Sequence, residues 1–327
     1  MGAVDAKQEN GTAASQKRFF PKHFHKLYII KFVAISCLLE CNISKKLTWF
    51  FHFFLNPVRK RIMDNYLIAL VLGLVEGITE FLPVSSSAHL ELAGYLLNFD
   101  GERAHTFEIV IQLGAILAVV SFYWNRFIGL LFPRGRKGFY GLKGINLLIL
   151  TTAPVCICGL LFHSLIKMYL FGPQAIIIFL IAGSLCMFLV EKRVYKPLYY
   201  DLDEITPKIA LGIGLAQCVA LCPGFSRSAA TIMGALLMGA KRSLAVQYSF
   251  ICAVPVMVAA TAYDLYKNFS LFTAQDIPFF LSGCFCAYVA GLIGIRFFIT
   301  LLGKITLVPF AIYRLLLSAA IWLFLIH

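Results

Sequence analysis

Long apolar runs are the feature that most restricts the fold of this 327-residue chain. Runs of about 17 to 25 apolar residues recur along it, and a helix of that length crosses a hydrocarbon core of about 30 Å. Hydrophobic residues make up 60% of the sequence and charged residues only 14%, which excludes the soluble globular classes. The alternating strands of a membrane barrel, roughly ten residues each, are absent. The sequence therefore predicts an all-α integral membrane protein.

Two segments, 66–98 and 209–240, interrupt the apolar runs with polar residues and proline. We expect each of them to form a broken helix pair that enters the membrane and returns to the same side. Uninterrupted spans are predicted near 106–124, 144–164, 174–191, 245–264, 277–300 and 306–326. The predicted architecture is about six transmembrane helices plus two re-entrant broken-helix pairs.

The two interrupted segments resemble each other. The first reads GLVEGITEFLPVSSSAH from Gly73 and the second reads GLAQCVALCPGFSRSAAT from Gly214; their opening glycines are 141 residues apart and their prolines 140. Each repeat, about 63–191 and about 205–327, is a broken pair followed by three spans. Because three is odd, the second repeat enters from the opposite face, which predicts an inverted repeat with its ligand site near the midplane.

Basic residues concentrate in the loops 125–143 and 192–208 and at Lys241 and Arg242. In the predicted topology all of them fall on one side, which the positive-inside rule makes cytoplasmic. The first broken pair then opens toward the outer face. Since these charges belong to loops, they do not indicate nucleic-acid binding.

The N-terminal part of the chain, residues 1–62, is basic, with 11 Lys/Arg against 3 acidic residues. It is predicted to be a separate extension, either disordered or an extra membrane anchor. Met63 opens MDNYLIALVLG, which would serve as a natural start. Residues 63–327 are predicted to form the polytopic membrane domain.

Glu76 and Glu80 lie four residues apart, so both carboxylates leave one face of a helix. Two unpaired carboxylates at membrane depth are costly, about 2.5–3.5 kcal/mol each. They require cations, and the candidates are a divalent metal (Mg²⁺ or Ca²⁺) and Arg227. A purely structural pair with the arginine would still leave one glutamate without a partner.

After Pro83, the serines Ser85, Ser86 and Ser87 stand where the second half-helix begins. N-capping is the simplest role for any one of them. A helix N-terminus inside a cavity also offers free backbone N–H groups to a phosphate. The second segment repeats this arrangement around Arg227, whose planar guanidinium matches phosphate oxygens, so two such starts suit a ligand with more than one phosphate.

His89 lies three or four residues after the serines and can take a proton from a serine or a water near neutral pH. The alternative is a hydrogen-bonded core histidine without a catalytic role. Arg314 lies inside a span, where it either supports the site or bonds neighbouring helices.

From Met63 to its end, the chain resembles the bacterial undecaprenyl-diphosphatases of the bacitracin-resistance type. The resemblance rests on EGITEFLPVSS in the first half and PGFSRSAAT in the second, with QLGAILAVV and PFAIYR also typical. It implies hydrolysis of undecaprenyl diphosphate to the monophosphate carrier and inorganic phosphate, with a divalent cation, near the outer face of the bacterial plasma membrane. The implied partners are this polyprenyl lipid and the bilayer, without nucleic acid, and a homodimer is compatible with it.

By position, the resemblance assigns roles to particular residues. It implies catalytic roles for Glu76, Glu80, Ser86, His89 and Arg227, phosphate binding by Ser85, Ser87, Ser226, Arg227, Ser228 and Thr231, and metal binding by Glu76 and Glu80. The chain departs from the family pattern at Ser87, where threonine is usual, and at Ala88 and Ala229, where glycine is usual.

Two other functions compete with the hydrolase. A transporter or flippase of a polyprenyl phosphate lipid would share the inverted repeat and the broken helices, but it would need no base such as His89. A structural membrane subunit would leave the buried polar cluster unexplained. The phosphatidic-acid phosphatase type needs a histidine after its Ser-Arg, and here none follows Arg227 until His327.

Overall fold

The computed structural model describes residues 65–99, 101–135, 138–162, 165–166, 172–193, 196–267 and 276–326. The predicted N-terminal extension and the start at Met63 lie outside these residues. Within the described residues, six helices are long and apolar enough to cross a membrane. The chain is therefore a multi-pass helical membrane protein, as predicted.

The described helices, numbered in chain order, are α1 (Asn65–Thr79), α2 (Ser86–Leu97), α3 (Glu102–Phe122), α4 (Trp124–Leu131), α5 (Gly141–Leu161), α6 (Pro173–Lys192), α7 (Pro207–Gln217), α8 (Arg227–Leu237), α9 (Arg242–Lys267), α10 (Ile277–Leu302) and α11 (Val308–Ile321). The six predicted spans correspond to α3, α5, α6, α9, α10 and α11. The two predicted broken pairs are α1 with α2 and α7 with α8. Short helices that were not predicted are α4 and two 3₁₀ turns, Leu202–Glu204 and Cys218–Leu221.

The two broken pairs share one local geometry at their second helix. Ser85 caps α2 with φ 74° and Ser226 caps α8 with φ 76°. Each serine hydroxyl accepts a hydrogen bond from the backbone N–H three residues later in the chain, that of Ala88 at 3.4 Å and that of Ala229 at 3.3 Å. Positive φ is rare outside glycine, so its occurrence at both aligned serines supports the repeat found in the sequence.

Small residues let the first broken pair pack closely on a span of the second half. A side chain added at Gly73 would meet the carbonyl oxygen of Gly283 on α10, and one at Gly77 would meet that of Ala287. Close backbone approach through small residues is the usual way in which membrane helices associate. The re-entrant helix α1 is thereby held against α10.

The basic loops meet at one end of the helix bundle. Asp203 accepts from Arg126 Nη1 at 3.2 Å and from the backbone N–H of Phe139 at 2.8 Å. Tyr199 pairs with Ala240 in a parallel bridge. The three loops therefore lie on one side of the protein, as the predicted topology requires.

Candidate active site

Glu80 joins the two broken segments. It follows α1 by one residue, and its Oε2 accepts from Ser86 Oγ at 2.6 Å while its Oε1 accepts from Arg227 Nη2 at 3.2 Å. The side chains of the ion pair are only 7% and 12% exposed. A pair this buried is held by its hydrogen bonds as well as by its charges, and removing either partner alone is costly.

Glu76 lies one turn before Glu80 and is fully buried. Among the described residues no N–H or hydroxyl group donates to either of its carboxylate oxygens, and its side chain lies within hydrogen-bonding reach of the Glu80 carboxylate. The charges that act on it are those of Glu80, Glu108 and Arg227. The ion pair with Arg227 that the sequence predicts is therefore made by Glu80, and Glu76 has no ion-pair partner among the described residues.

A divalent cation fits these two carboxylates by their chemistry. Carboxylate oxygens are hard ligands, and Mg²⁺ is usually held by one or two carboxylates with waters and substrate phosphates completing its shell. The described residues hold no group of three or more His, Cys, Asp or Glu placed to bind a metal. A cation on Glu76 and Glu80 would therefore take its remaining ligands from water and phosphate.

The second broken segment is bonded directly to the first. Ser228 Oγ donates to the carbonyl of Leu82 at 2.7 Å and lies 3.1 Å from Ser226 Oγ. Arg227 Nη1 donates to the carbonyl of Ser249 on α9 at 3.0 Å. These bonds hold the N-termini of α2 and α8 beside the Glu80–Arg227 pair, so two helix starts and a guanidinium converge as the repeat predicts.

Two of the proposed phosphate ligands make no hydrogen bond to the side chain of Glu80 or Arg227 among those found in the described residues. The Ser87 side chain is exposed, because it lies roughly 100° around α2 from the buried Ser86. Thr231 is fully buried, and its hydroxyl bonds the carbonyl of Arg227 at 2.9 Å and lies 2.6 Å from Ser249 Oγ. Thr231 braces the first turn of α8, and phosphate binding by the exposed Ser87 stays a prediction.

Both ring nitrogens of His89 have partners. Nδ1 lies 2.7 Å from the carbonyl oxygen of Ser85, and Nε2 lies 2.7 Å from the hydroxyl of Tyr313 on α11. The two rings are nearly parallel, at 9°. In this arrangement Ser86 faces Glu80 and His89 faces Tyr313. Sequence reasoning did not single out Tyr313, although it stands directly before Arg314 in PFAIYR.

Arg314 is fully buried and ties both broken segments to α6. Its guanidinium donates to five backbone carbonyls, those of Pro83, Phe179, Leu180, Gly224 and Phe225, at 2.7 to 3.5 Å. None of the ion pairs found between described residues includes it. A side chain at Gly183 would collide with Nη2. Arg314 thus both supports the site and bonds neighbouring helices.

The helices accommodate the two alanines that replace the glycines of the family pattern. Ala88 and Ala229 lie inside α2 and α8, and in the described chain positive φ among non-glycine residues falls at Ser85, Asn98, Arg134 and Ser226. The methyl groups of the two alanines are fully buried without backbone strain.

Comparison with known proteins gives consistent matches. A family model described as bacitracin resistance protein BacA matches residues 69–320. The undecaprenyl-diphosphatase of Desulfovibrio desulfuricans is 59% identical over 265 residues, 81% of this chain and 100% of that protein. Proteins of the same name from Nitratidesulfovibrio vulgaris strain DP4 (53% over 265 residues, 81% and 100%) and Lawsonia intracellularis (57% over 258 residues, 78% and 97%) are also similar.

Proposed function

This chain belongs to the bacitracin resistance protein BacA family, and we propose that it hydrolyses undecaprenyl diphosphate to undecaprenyl phosphate and inorganic phosphate. The reaction recycles the lipid carrier for cell-wall synthesis and confers bacitracin resistance. The observation that supports the chemistry best is the 2.6 Å hydrogen bond from Ser86 to Glu80, next to Arg227. It joins a nucleophile, a base and a phosphate-binding cation in one buried cluster.

Arg227 and the N-termini of α2 and α8 would hold the diphosphate. The Arg227 Nη2 that now bonds Glu80 would turn to a phosphate oxygen, because guanidinium matches phosphate in a two-pronged geometry. Free N–H groups at the two helix starts add donors from both halves. The polyprenyl tail would lie between spans, in lipid.

A divalent cation, Mg²⁺ or Ca²⁺, would be held by Glu76 and Glu80. It would supply positive charge against the diphosphate oxygens, which the protein otherwise meets with Arg227. The unpartnered carboxylate of Glu76 is the observation that supports this assignment.

Ser86 is the nucleophile favoured by the hydrogen bonding. Its Oγ would attack the terminal phosphorus and pass its proton to Glu80 Oε2, while the anhydride P–O bond breaks and its electrons leave with undecaprenyl phosphate. Water would then attack the phosphoserine and pass a proton to His89, while the P–Oγ bond breaks. Ser86 Oγ would keep that electron pair and regain its proton from Glu80, inorganic phosphate would leave, and His89 would return its proton to the phosphate or to solvent. In the alternative route, a water deprotonated by His89 attacks the diphosphate directly.

Phosphate release from a polyprenyl diphosphate by the detergent-purified protein tests the proposal. We expect release by wild type that falls on chelation, and losses of about 100-fold or more in Ser86→Ala and Glu80→Gln. Ser282→Ala is the matched control, because that hydroxyl bonds only the carbonyl of Phe279 in the described structure. Wild-type protein that releases no phosphate would end the hydrolase proposal.

The same preparation separates the two routes and the transporter alternative. A ³²P-labelled substrate should leave a trapped phosphoserine at residue 86 if Ser86 attacks, and none if water attacks. Reconstitution in vesicles would detect movement of a polyprenyl phosphate across the bilayer, which the repeat architecture would allow. Movement without hydrolysis would favour the transporter.

The positive-inside rule orients the site in this proposal. The end of the protein where the basic loops meet would face the cytoplasm, so that the first broken pair would open toward the outer face of the bacterial plasma membrane. Labelling of single cysteines in those loops of intact spheroplasts would check this orientation, with reaction only after lysis as the expected result.

A further inference from the structure

The hydrogen bonds of His89 fix which nitrogen carries its proton. A carbonyl oxygen can only accept, so Nδ1, 2.7 Å from the carbonyl of Ser85, must be the protonated nitrogen. In a neutral imidazole Nε2 is then the acceptor, and the hydroxyl of Tyr313, 2.7 Å away, donates to it. The lone pair of His89, the part that could act as a base, is therefore held by a tyrosine.

Tyr313 is itself anchored firmly. The next residue, Arg314, is bonded to the carbonyls before both half-helix starts, which fixes this turn of α11 against the site. The near-parallel tyrosine and imidazole rings restrict the histidine further, with centroids 5.6 Å apart. A residue of the second half thus sets the orientation of the histidine in the first half.

We propose that Tyr313 is a positioning residue for His89: its hydroxyl holds the ring with Nδ1 protonated and the lone pair on Nε2, and it gives up this hydrogen bond when Nε2 takes the proton of the attacking water. The proposal rests on the proposed function for its effect on rate, but the Tyr313–His89 hydrogen bond can be tested without it. The tyrosine lies apart from the phosphate-binding pair, since its bonded partner in the described chain is His89 and not Arg227.

Tyr313→Phe removes the hydroxyl and keeps the ring. We expect kcat to fall by up to about 100-fold, as for a small misplacement of a catalytic group, while KM stays within about twofold. The double variant His89→Ala/Tyr313→Phe should be no slower than His89→Ala alone, because the hydroxyl acts only through the histidine. Additive losses, or a Tyr313→Phe kcat equal to that of wild type, would overturn the proposal.

Tyr288→Phe is the matched control. Its hydroxyl lies 3.2 Å from Ser121 Oγ, between α10 and α3 and away from the cluster, so kcat should be unchanged. The melting temperatures of the two variants, measured together, separate loss of fold from loss of positioning.

Acylation of His89 by diethyl pyrocarbonate gives a reading that does not depend on turnover. The reagent attacks an unprotonated ring nitrogen, and in wild type Nε2 is occupied by Tyr313. We expect several-fold faster modification of His89 in Tyr313→Phe, measured by peptide mass spectrometry against His105 as the internal reference. An unchanged rate in Tyr313→Phe would overturn the inference even if the enzyme is active. Faster modification in Tyr313→Phe, together with a wild type that has no phosphatase activity, would refute only the proposed function.

Discussion

Replacing Arg314 with lysine keeps a buried positive charge and removes the planar fork of donors. Guanidinium Nε, Nη1 and Nη2 together reach five carbonyls, whereas an ammonium has three N–H bonds, so at least two carbonyls lose their contact. A hydrogen bond to a charged group contributes about 1.5–3 kcal/mol. The carbonyls of Phe179 and Leu180 lie within α6 and keep hydrogen-bond partners in that helix, which favours the lower figure for each lost bond. We therefore expect the free energy of unfolding to fall by about 3 kcal/mol.

That loss predicts a lower melting temperature for Arg314→Lys in detergent. At roughly 2–4 °C per kcal/mol the fall is about 6–12 °C, measured by intrinsic fluorescence on heating. Phosphate release should weaken as well, because the carbonyls of Pro83 and Phe225 precede the two helix starts that would bind the diphosphate. Arg296→Lys, on the exposed side of α10, is the control and should shift neither quantity. A melting temperature of Arg314→Lys within about 2 °C of wild type would refute the structural role assigned to Arg314.

Three further pairs of substitutions test the fold through thermal unfolding. Ser85→Gly should be more stable than Ser85→Ala by about 1 kcal/mol, because both lose the capping hydroxyl but only glycine adopts φ 74° freely; equal stabilities would contradict the strain. Gly73→Ala should cost about 1–3 kcal/mol, because its methyl group meets a carbonyl of α10, whereas Gly159→Ala, with ordinary contact at 3.4 Å, should be nearly neutral; the reverse order would argue against close packing of α1 on α10. Arg126→Ala should cost less than about 1 kcal/mol, since its ion pair is solvent-exposed. Asp203→Ala should cost more, because that carboxylate also accepts a backbone N–H, and equal costs would show that this second bond contributes nothing.

Sequence alone located the spans because lipid imposes length and composition on a crossing helix. The prediction of a span over 277–300 and the observed α10, Ile277–Leu302, differ by two residues. The short helix α4 was missed, since eight residues give too little apolar length to distinguish a helix from a basic loop. The broken pairs were foreseen from their prolines and serines.

The site was predicted less completely than the fold. The sequence predicted that Arg227 would pair with a glutamate of the first broken segment, and in the structure that glutamate is Glu80. Sequence spacing could not show that Ser86 would face Glu80 while His89 faces Tyr313, because that choice depends on how α11 packs beside α2. Ser87 is exposed because it lies on a different side of α2 from Ser86. Which residue faces inward depends on which serine caps the helix, and the sequence does not show that.

The contact between α1 and α10 also bears on how the chain is assembled during translation. Gly73 on α1 touches Gly283 on α10, so the surface that covers the first re-entrant helix is synthesised about 200 residues later. At 15 residues α1 is too short to cross the bilayer, and it carries the unpartnered Glu76. A nascent chain that ends before α10 therefore cannot bury α1 as the finished protein does. We therefore expect the first half of the site to become ordered only after α10 has been synthesised.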